Sequence, residues 1–419
     1  MDDARVSSIR RRIGPIAGFA GCPPPRTLGA NPPSAGRPPV TLSPVGERDR
    51  LLAPDLARGV MLALIAVANS ALFLYGRPYG IRQHVIEHGL ADRVVSAVSL
   101  TFVDARAYPM FAALFGYGMA QMWNRRRDDA EGRAVLRRRS LWLLAFGAAH
   151  GLLLFPGDVL GLYGLLGLLM CRLTRVRGRM LLAAAAAWLV PVAVISALVY
   201  GGPAGTTQRA YLWSLAVPDP VTALALRPLE WVMTPFGMTG AVTAALVGVW
   251  AGRRSLLSRA DATVLRRAAV AGPLVAVAGG LPVGLVAAGA VTVHDPAAVM
   301  ALNAVHVVTG VAGGLGYAAL IALLARRIGQ RRGPVVTALS SCGQRSLSCY
   351  LLQSVVFVAL LPPYTAGLGA RLGSAATAAL ALLTWAGIVV MAELMRAAGT
   401  RGPAETLLRR LTYARQGRP

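Results

Sequence analysis

The chain contains no lysine: all 43 of its basic residues are arginine. That absence closes two classes of chemistry, because a Walker-type phosphate loop and a Schiff-base enzyme each depend on a lysine amine. Acidic residues are few as well, with 18 Asp and Glu, and charged residues make up only 15% of 419 positions. With 55% hydrophobic residues and a mean hydropathy of +0.55, the chain is too apolar for a soluble protein of this length and reads as a membrane protein. Cysteine is scarce too. Cys22, Cys171, Cys342 and Cys349 form no C-x-x-C pair, and three of them fall at or inside apolar segments. They are expected to pack rather than to form disulfides or ligate metal.

A formal net charge of +25 would suggest nucleic acid in a soluble chain, but here most arginines stand in short clusters between apolar runs. That arrangement is the signature of membrane topology, and no nucleic-acid partner is expected. Residues 1–50 hold nine Pro, six Gly and the cluster Arg10 to Arg12, with no periodic apolar pattern, which predicts a disordered cytoplasmic tail. The stretch ending at Cys22 faintly imitates a lipoprotein signal, but its apolar core is short and broken by Gly and Pro.

From Leu56 onward, apolar runs long enough to cross a hydrocarbon core recur. They predict an all-α, polytopic helical membrane bundle over residues 51–413 with a short basic end at 414–419. The ten expected spans are 56–75, 107–123, 140–155, 159–173, 180–201, 232–252, 268–292, 298–325, 347–363 and 373–395, with Val94 to Val103 as an interfacial or re-entrant stretch. If the N-terminus is inside, 36 arginines fall in inner segments and seven in outer ones, alternating loop by loop. This predicts N-in, C-in topology in the cell (plasma) membrane, with the lipid bilayer as the chain's solvent.

That topology sorts the intramembrane polar residues. His150 lies six residues before an outer turn at Pro156, roughly 9 Å down. Asn303 and His306 enter the eighth span from the same side. Asp55, Arg58, Arg345, Tyr350, Gln353 and Ser354 are assigned to an inner cluster, with Tyr350, Gln353 and Ser354 sharing a helix face at i, i+3, i+4. Ionisable groups in this setting are costly and read as functional, which makes His150, Asp158 and His306 the candidate catalytic residues. His150 and His306 are expected on facing helices around one outer site. Asp158, after Pro156 and Gly157, also reads as a helix N-cap, and direct contact with His150 is not required by the spacing. Arg58 and Arg345 read equally as interfacial anchors. "HVIEH", His84 to His88, matches an inverted zinc-protease pattern, but Gly89 follows at once and no acidic third ligand is identifiable, so no metal site is expected.

"PDLARG" (Pro54 to Gly59), "FAALFGYGMA" (Phe111 to Ala120), "HGLLLFPGDVLGLYGLLGLL" (His150 to Leu169), "GQRSLSCYLLQS" (Gly343 to Ser354) and "GPAETLLRRLTY" (Gly402 to Tyr413) occur in the order seen in the domain of unknown function 418 family, and the chain resembles these YeiB-like membrane proteins from Leu51 to Tyr413. It departs from the pattern at Cys349, where Asn is common, and at Ala404 and Thr406, where Leu and Trp are usual. The family is in turn distantly similar to multi-pass membrane acyltransferases. That resemblance implies transfer from cytosolic acyl-CoA to an extracytoplasmic acceptor, with His150 as base, Asp158 orienting it, and Arg58 and Arg345 facing the CoA phosphates. A transporter or permease for a small solute is the competing class, with the two polar clusters as gates, and a non-catalytic scaffold is a third. The small-molecule substrate and the oligomeric state are left unassigned.

Overall fold

Aspartate and proline write the starts of several helices. Asp219 accepts the Thr222 amide at 2.7 Å, and Asp295 accepts the Ala297 and Ala298 amides at 3.1 Å. Each is followed by a proline, whose missing N–H and fixed φ suit the first helical position. The computed structural model describes residues 52–126, 130–173, 176–202, 205–259, 262–329 and 332–413. The expected tail over 1–50, the Cys22 stretch and the end at 414–419 lie outside the described residues.

In chain order the helices are α1 (Leu52–Ala71), α2 (Leu90–Phe102), α3 (Ala107–Arg126), α4 (Ala130–Leu153), α5 (Val159–Arg172), α6 (Gly178–Ala187), α7 (Leu189–Tyr200), α8 (Pro220–Gly237), α9 (Gly240–Arg253), α10 (Leu256–Arg259), α11 (Ala262–Ala287), α12 (Pro296–Ile328), α13 (Pro334–Gln344), α14 (Ser346–Leu360), α15 (Ser374–Ala397) and α16 (Pro403–Tyr413). Among the described residues there is no β-strand, only isolated bridges from Tyr79 to Val85 and Thr206. The chain is a polytopic helical membrane bundle, and each of the ten expected spans coincides with a helix or helix pair. By length and composition alone, five helices among the described residues can cross a membrane: α1, α6 with α7, α11, α12 and α15. The total reaches six when α8 and α9 count together.

Two expectations change. The span expected at 232–252 is not straight, since α8 and α9 meet at a 58° bend. The chain turns at Met238 and Thr239, between Gly237 and Gly240. The weak stretch at Val94 to Val103 is the greater part of α2, a 13-residue helix packed on α11 and α15.

Helix pairs approach closely where side chains are absent. A Cβ at Gly248 of α9 would collide with the Ala113 carbonyl of α3, so these two helices touch backbone to backbone. The main core joins α1, α3, α5, α9, α12 and α14 through Leu62, Met110, Tyr163, Leu246, Val311 and Tyr350. Cys342 and Cys349 are fully buried there as free thiols, as expected of packing residues.

Candidate functional site

The turn at Pro156 and Gly157 reverses the chain between α4 and α5, and Asp158 caps α5 by accepting the Gly161 amide through Oδ2 at 2.6 Å. Its other oxygen, Oδ1, faces His150 Nδ1 at 2.8 Å. The spacing left that contact open, and the structure makes it. One carboxylate therefore does two jobs, fixing a helix start and an imidazole.

The other side of the ring meets an unexpected partner. Ser354 Oγ lies 2.8 Å from His150 Nε2, and the Tyr350 ring packs on the imidazole with centroids 4.9 Å apart. The sequence reading placed Ser354 and Tyr350 in an inner cluster; the structure moves both to His150. The reason is length. α14 has only 15 residues, so Ser354 sits near its middle, about 12 Å from its start, rather than at one face of the bundle. With Asp158 as a carboxylate it accepts the Nδ1 proton, which leaves Nε2 to accept the Ser354 hydroxyl; the tautomer follows from that network. Serine in a helix ordinarily bonds back to the carbonyl four residues earlier, as Ser140, Ser340 and Ser341 do here. Ser354 turns its hydroxyl to the histidine instead. All three side chains are buried.

Missing side chains and one neighbouring helix hold this line together. A methyl at Gly147 would collide with the Gly161 nitrogen and stand 2.5 Å from Asp158 Oδ2, while Gly151 and Gly161 give room to the Trp231 indole of α8. α8 also grips the hairpin end. Arg227 donates to the Leu152 and Leu153 carbonyls at 3.2 and 2.6 Å and to Tyr364 Oη at 2.7 Å, and Thr234 donates to the Pro156 carbonyl at 2.7 Å. Arg227 thus satisfies carbonyls that the end of α4 leaves without partners.

The other predicted residues disperse. His306 Nε2 meets Asp104 Oδ2 at 3.0 Å, and its ring lies against Arg106, which donates to the Asp104 carbonyl and to the Ala276 carbonyl at 2.6 Å. The two histidines have separate partner sets and share no hydrogen bond. Asn303 donates to the Tyr200 and Val299 carbonyls. Asp55 and Arg58 pair at 3.1 Å within α1, and Gln353 donates to the Leu62 carbonyl. Arg345 is buried, with its terminal nitrogens on the Ser341 and Thr400 carbonyls, so it is not presented to a phosphate; Arg58 retains some exposure. The "HVIEH" stretch is not helical: residues 84–88 follow a one-turn 3-10 segment in extended form, and Glu87 binds Arg77 and the Ser374 amide. Among the described residues no cluster of three His, Cys, Asp or Glu could hold a metal ion.

Between the two histidine clusters lies a cavity of about 610 Å³, within the range of small-molecule sites. Its wall is mostly apolar. Gly157 and Val159, flanking Asp158, form part of it, and Arg82, His84, Asp104, Tyr108, Tyr211 and Glu230 supply polar atoms. Arg82 donates through Nε to Asp104 and lies 4.0 Å from the Tyr200 ring centre. Burial pushes the His84 imidazole below and the Tyr211 hydroxyl well above their ordinary pKa values, so both stay neutral near pH 7. The sequence reading missed Arg82, Asp104, Arg106 and Glu230. Its usable signal was Asp104 and Arg106 on the short break between two apolar stretches, which leaves no loop long enough to carry them to water.

Comparison with known proteins adds the decisive observation: residues 251–415 match the family described as "Protein of unknown function (DUF418)". That part of the chain resembles the DUF418 family. It holds α14 and Ser354, whereas His150 and Asp158 lie before it. Over 148 residues the chain is 28% identical to the uncharacterised protein YxaH of Bacillus subtilis (strain 168), covering 34% of this chain and 37% of that one. Over 160 residues it is 29% identical to an uncharacterised 39.9 kDa protein from the amylase 3' region of Bacillus acidopullulyticus, covering 38% and 44%. Over 131 residues it is 32% identical to YeiB of Escherichia coli (strain K12), covering 30% and 32%. The chain thus matches less than half the length of each of these relatives. The resemblance to YeiB-like proteins read from the motifs is matched by these findings.

Proposed function

We propose that the chain is an acyltransferase of the plasma membrane, moving an acyl group from cytosolic acyl-CoA to an acceptor at the outer face. The observation that carries this reading is the buried line Asp158 Oδ1, His150 Nδ1, His150 Nε2, Ser354 Oγ, with 2.8 Å at each hydrogen bond. A hydroxyl, a base and an orienting carboxylate in that order are the parts of acyl transfer through a serine. Ser354 Oγ bonds to the thioester carbonyl carbon while its proton passes to His150 Nε2; the thiolate of CoA leaves and takes that proton. The acceptor hydroxyl then gives its proton to Nε2 and attacks the acyl-Ser354 ester, and the proton returns to Ser354 as it leaves. Asp158 holds the ring and stabilises the imidazolium in both stages.

A second reading, passage of a small solute, draws on one observation. The α8–α9 break borders the cavity at Gly237 and Met238, and broken helices in membrane proteins are found where backbone lines a cavity. One experiment separates the two. Purified protein in proteoliposomes is given acetyl-CoA labelled on the acetyl group, and free CoA and label on the protein are followed. Release of CoA that disappears in both Ser354→Ala and His150→Ala supports transfer. Unchanged release in Ser354→Ala removes the serine from the chemistry, and no release at all, with solute uptake that persists in both variants, favours passage.

A further inference from the structure

Four polar side chains on the cavity wall have hydrogen-bonding atoms left over. Asp104 binds Arg82 and His306 through Oδ2 alone; its side chain is 26% exposed, and Oδ1 has no partner among the described residues. The Ser99 carbonyl accepts the Asp104 amide at 2.9 Å, but the Ser99 hydroxyl, the His84 imidazole and the Asn69 amide of α1 make no hydrogen bond among the described residues. Protein walls off Arg82 Nη1, whereas it leaves the polar atoms of these four accessible. The charges on the wall are already answered. Arg82 is met by Asp104, and Glu230 accepts the amide and hydroxyl of Ser214 at 2.7 and 2.5 Å with Arg209 close by. What the cavity leaves unmet is therefore hydrogen bonding rather than charge, and leaving it unmet is costly.

Asp104 Oδ1 can only accept, while the serine hydroxyl, the neutral imidazole and the amide both donate and accept. Hydroxyl groups, which do both and carry no charge, match that set. A carboxylate would face the free Asp104 oxygen, and an ammonium would stand beside Arg82 on the same aspartate. The remaining wall is mostly hydrocarbon, and it reaches the surface at Leu198 of α7 and at Met233 and Phe236 of α8. Leu198 is 65% exposed in a segment apolar enough to span the bilayer, so the open side meets lipid chains. We propose that this cavity binds a neutral lipid whose head carries free hydroxyls, the chain lying along the seam of α7 and α8 and the hydroxyls drawing on the free atoms of Asp104, Ser99, His84 and Asn69. The site does not rest on the acyl-transfer reading, and its test needs no acyl-CoA.

The test uses the full chain in phosphatidylcholine nanodiscs and a monoacylglycerol with a photoreactive diazirine in its chain. Illumination should label α7 and α8 around Leu198 and Met233 saturably. Monooleoylglycerol should compete, whereas methyl oleate, which keeps the chain and loses both hydroxyls, should compete at least about tenfold more weakly. Glycerol, with hydroxyls and no chain, should not compete. Equal competition by methyl oleate overturns the proposal, and stronger competition by oleate or oleylamine overturns it in favour of a charged head. These comparisons use the parent chain and need no variant. The double variant Asn69→Leu, Ser99→Ala then removes two of the free groups at positions outside the His150 line. Its labelling should weaken by about tenfold with the thermal unfolding midpoint close to that of the parent, and undiminished labelling also overturns the proposal.

Discussion

Asp158 carries two bonds that a single substitution can separate. Asparagine caps helices about as well as aspartate, so Asp158→Asn is expected to keep the Gly161 contact and to unfold within about 1 kcal/mol of the parent. It loses the charge that stabilises a protonated His150, and acyl transfer should fall by roughly 10²-fold or more. Asp158→Ala loses the cap, about 0.5–2 kcal/mol, and leaves a buried Nδ1 proton without an acceptor, about 1–3 kcal/mol more. Unfolding midpoints and CoA release, measured on both variants, distinguish the roles. Full activity in Asp158→Asn with lowered stability only in Asp158→Ala would reduce the aspartate to a helix cap. At this scale the sequence was informative where cost concentrates: an intramembrane histidine and a Pro-Gly-Asp turn pointed to His150 and Asp158. Ser354 was assigned elsewhere because serine is cheap to bury, and only the path of α14 decides whom its hydroxyl meets. Arg82 and Arg106 were passed over because arginines in outer loops ordinarily reach water.

The helices meet through glycine, and that makes the contact between α4 and α5 a hinge point for the site. In Gly147→Ala the new methyl must displace the Gly161 backbone or the Asp158 carboxylate. Overpacking of this kind costs about 1–3 kcal/mol, and activity should fall as well because His150 sits one turn along. Gly387 of α15, with nothing near its missing side chain, is the control. Gly387→Ala should be neutral or slightly stabilising, so a similar loss in both variants would show that glycine matters here for reasons other than close approach. Long apolar runs made the helices themselves legible. The α8–α9 bend was not, because its two halves read as one hydrophobic stretch and only tertiary packing selects the break. The docking of α16 was also invisible in advance. Glu405, on that helix, accepts the Leu347 amide at 2.7 Å and the Ser348 amide at 3.2 Å, and so caps α14 from a distant part of the chain.

For the whole molecule, the distribution of arginine makes the sharpest statement. With 36 of 43 on one set of alternating segments, both termini are expected on the cytoplasmic side. Alkaline phosphatase, active only outside, should be silent when fused after Tyr413, and green fluorescent protein fused there should fluoresce. The opposite pattern would require either an odd number of crossings or an inverted orientation of the whole bundle.

The His150 line is sealed from solvent, with 1% and 0% of the His150 and Asp158 side chains exposed. The labile protons held along it can exchange with bulk deuterium only when α4, α5 and α14 part, so their isotope lifetime times the opening of the bundle. Any acyl donor or acceptor that reaches Ser354 must wait for the same event. Where chemical exchange outpaces reclosing, the fading of one downfield imidazole resonance in D2O reports the opening rate itself, a rate that turnover cannot exceed and that is readable before any substrate has been found.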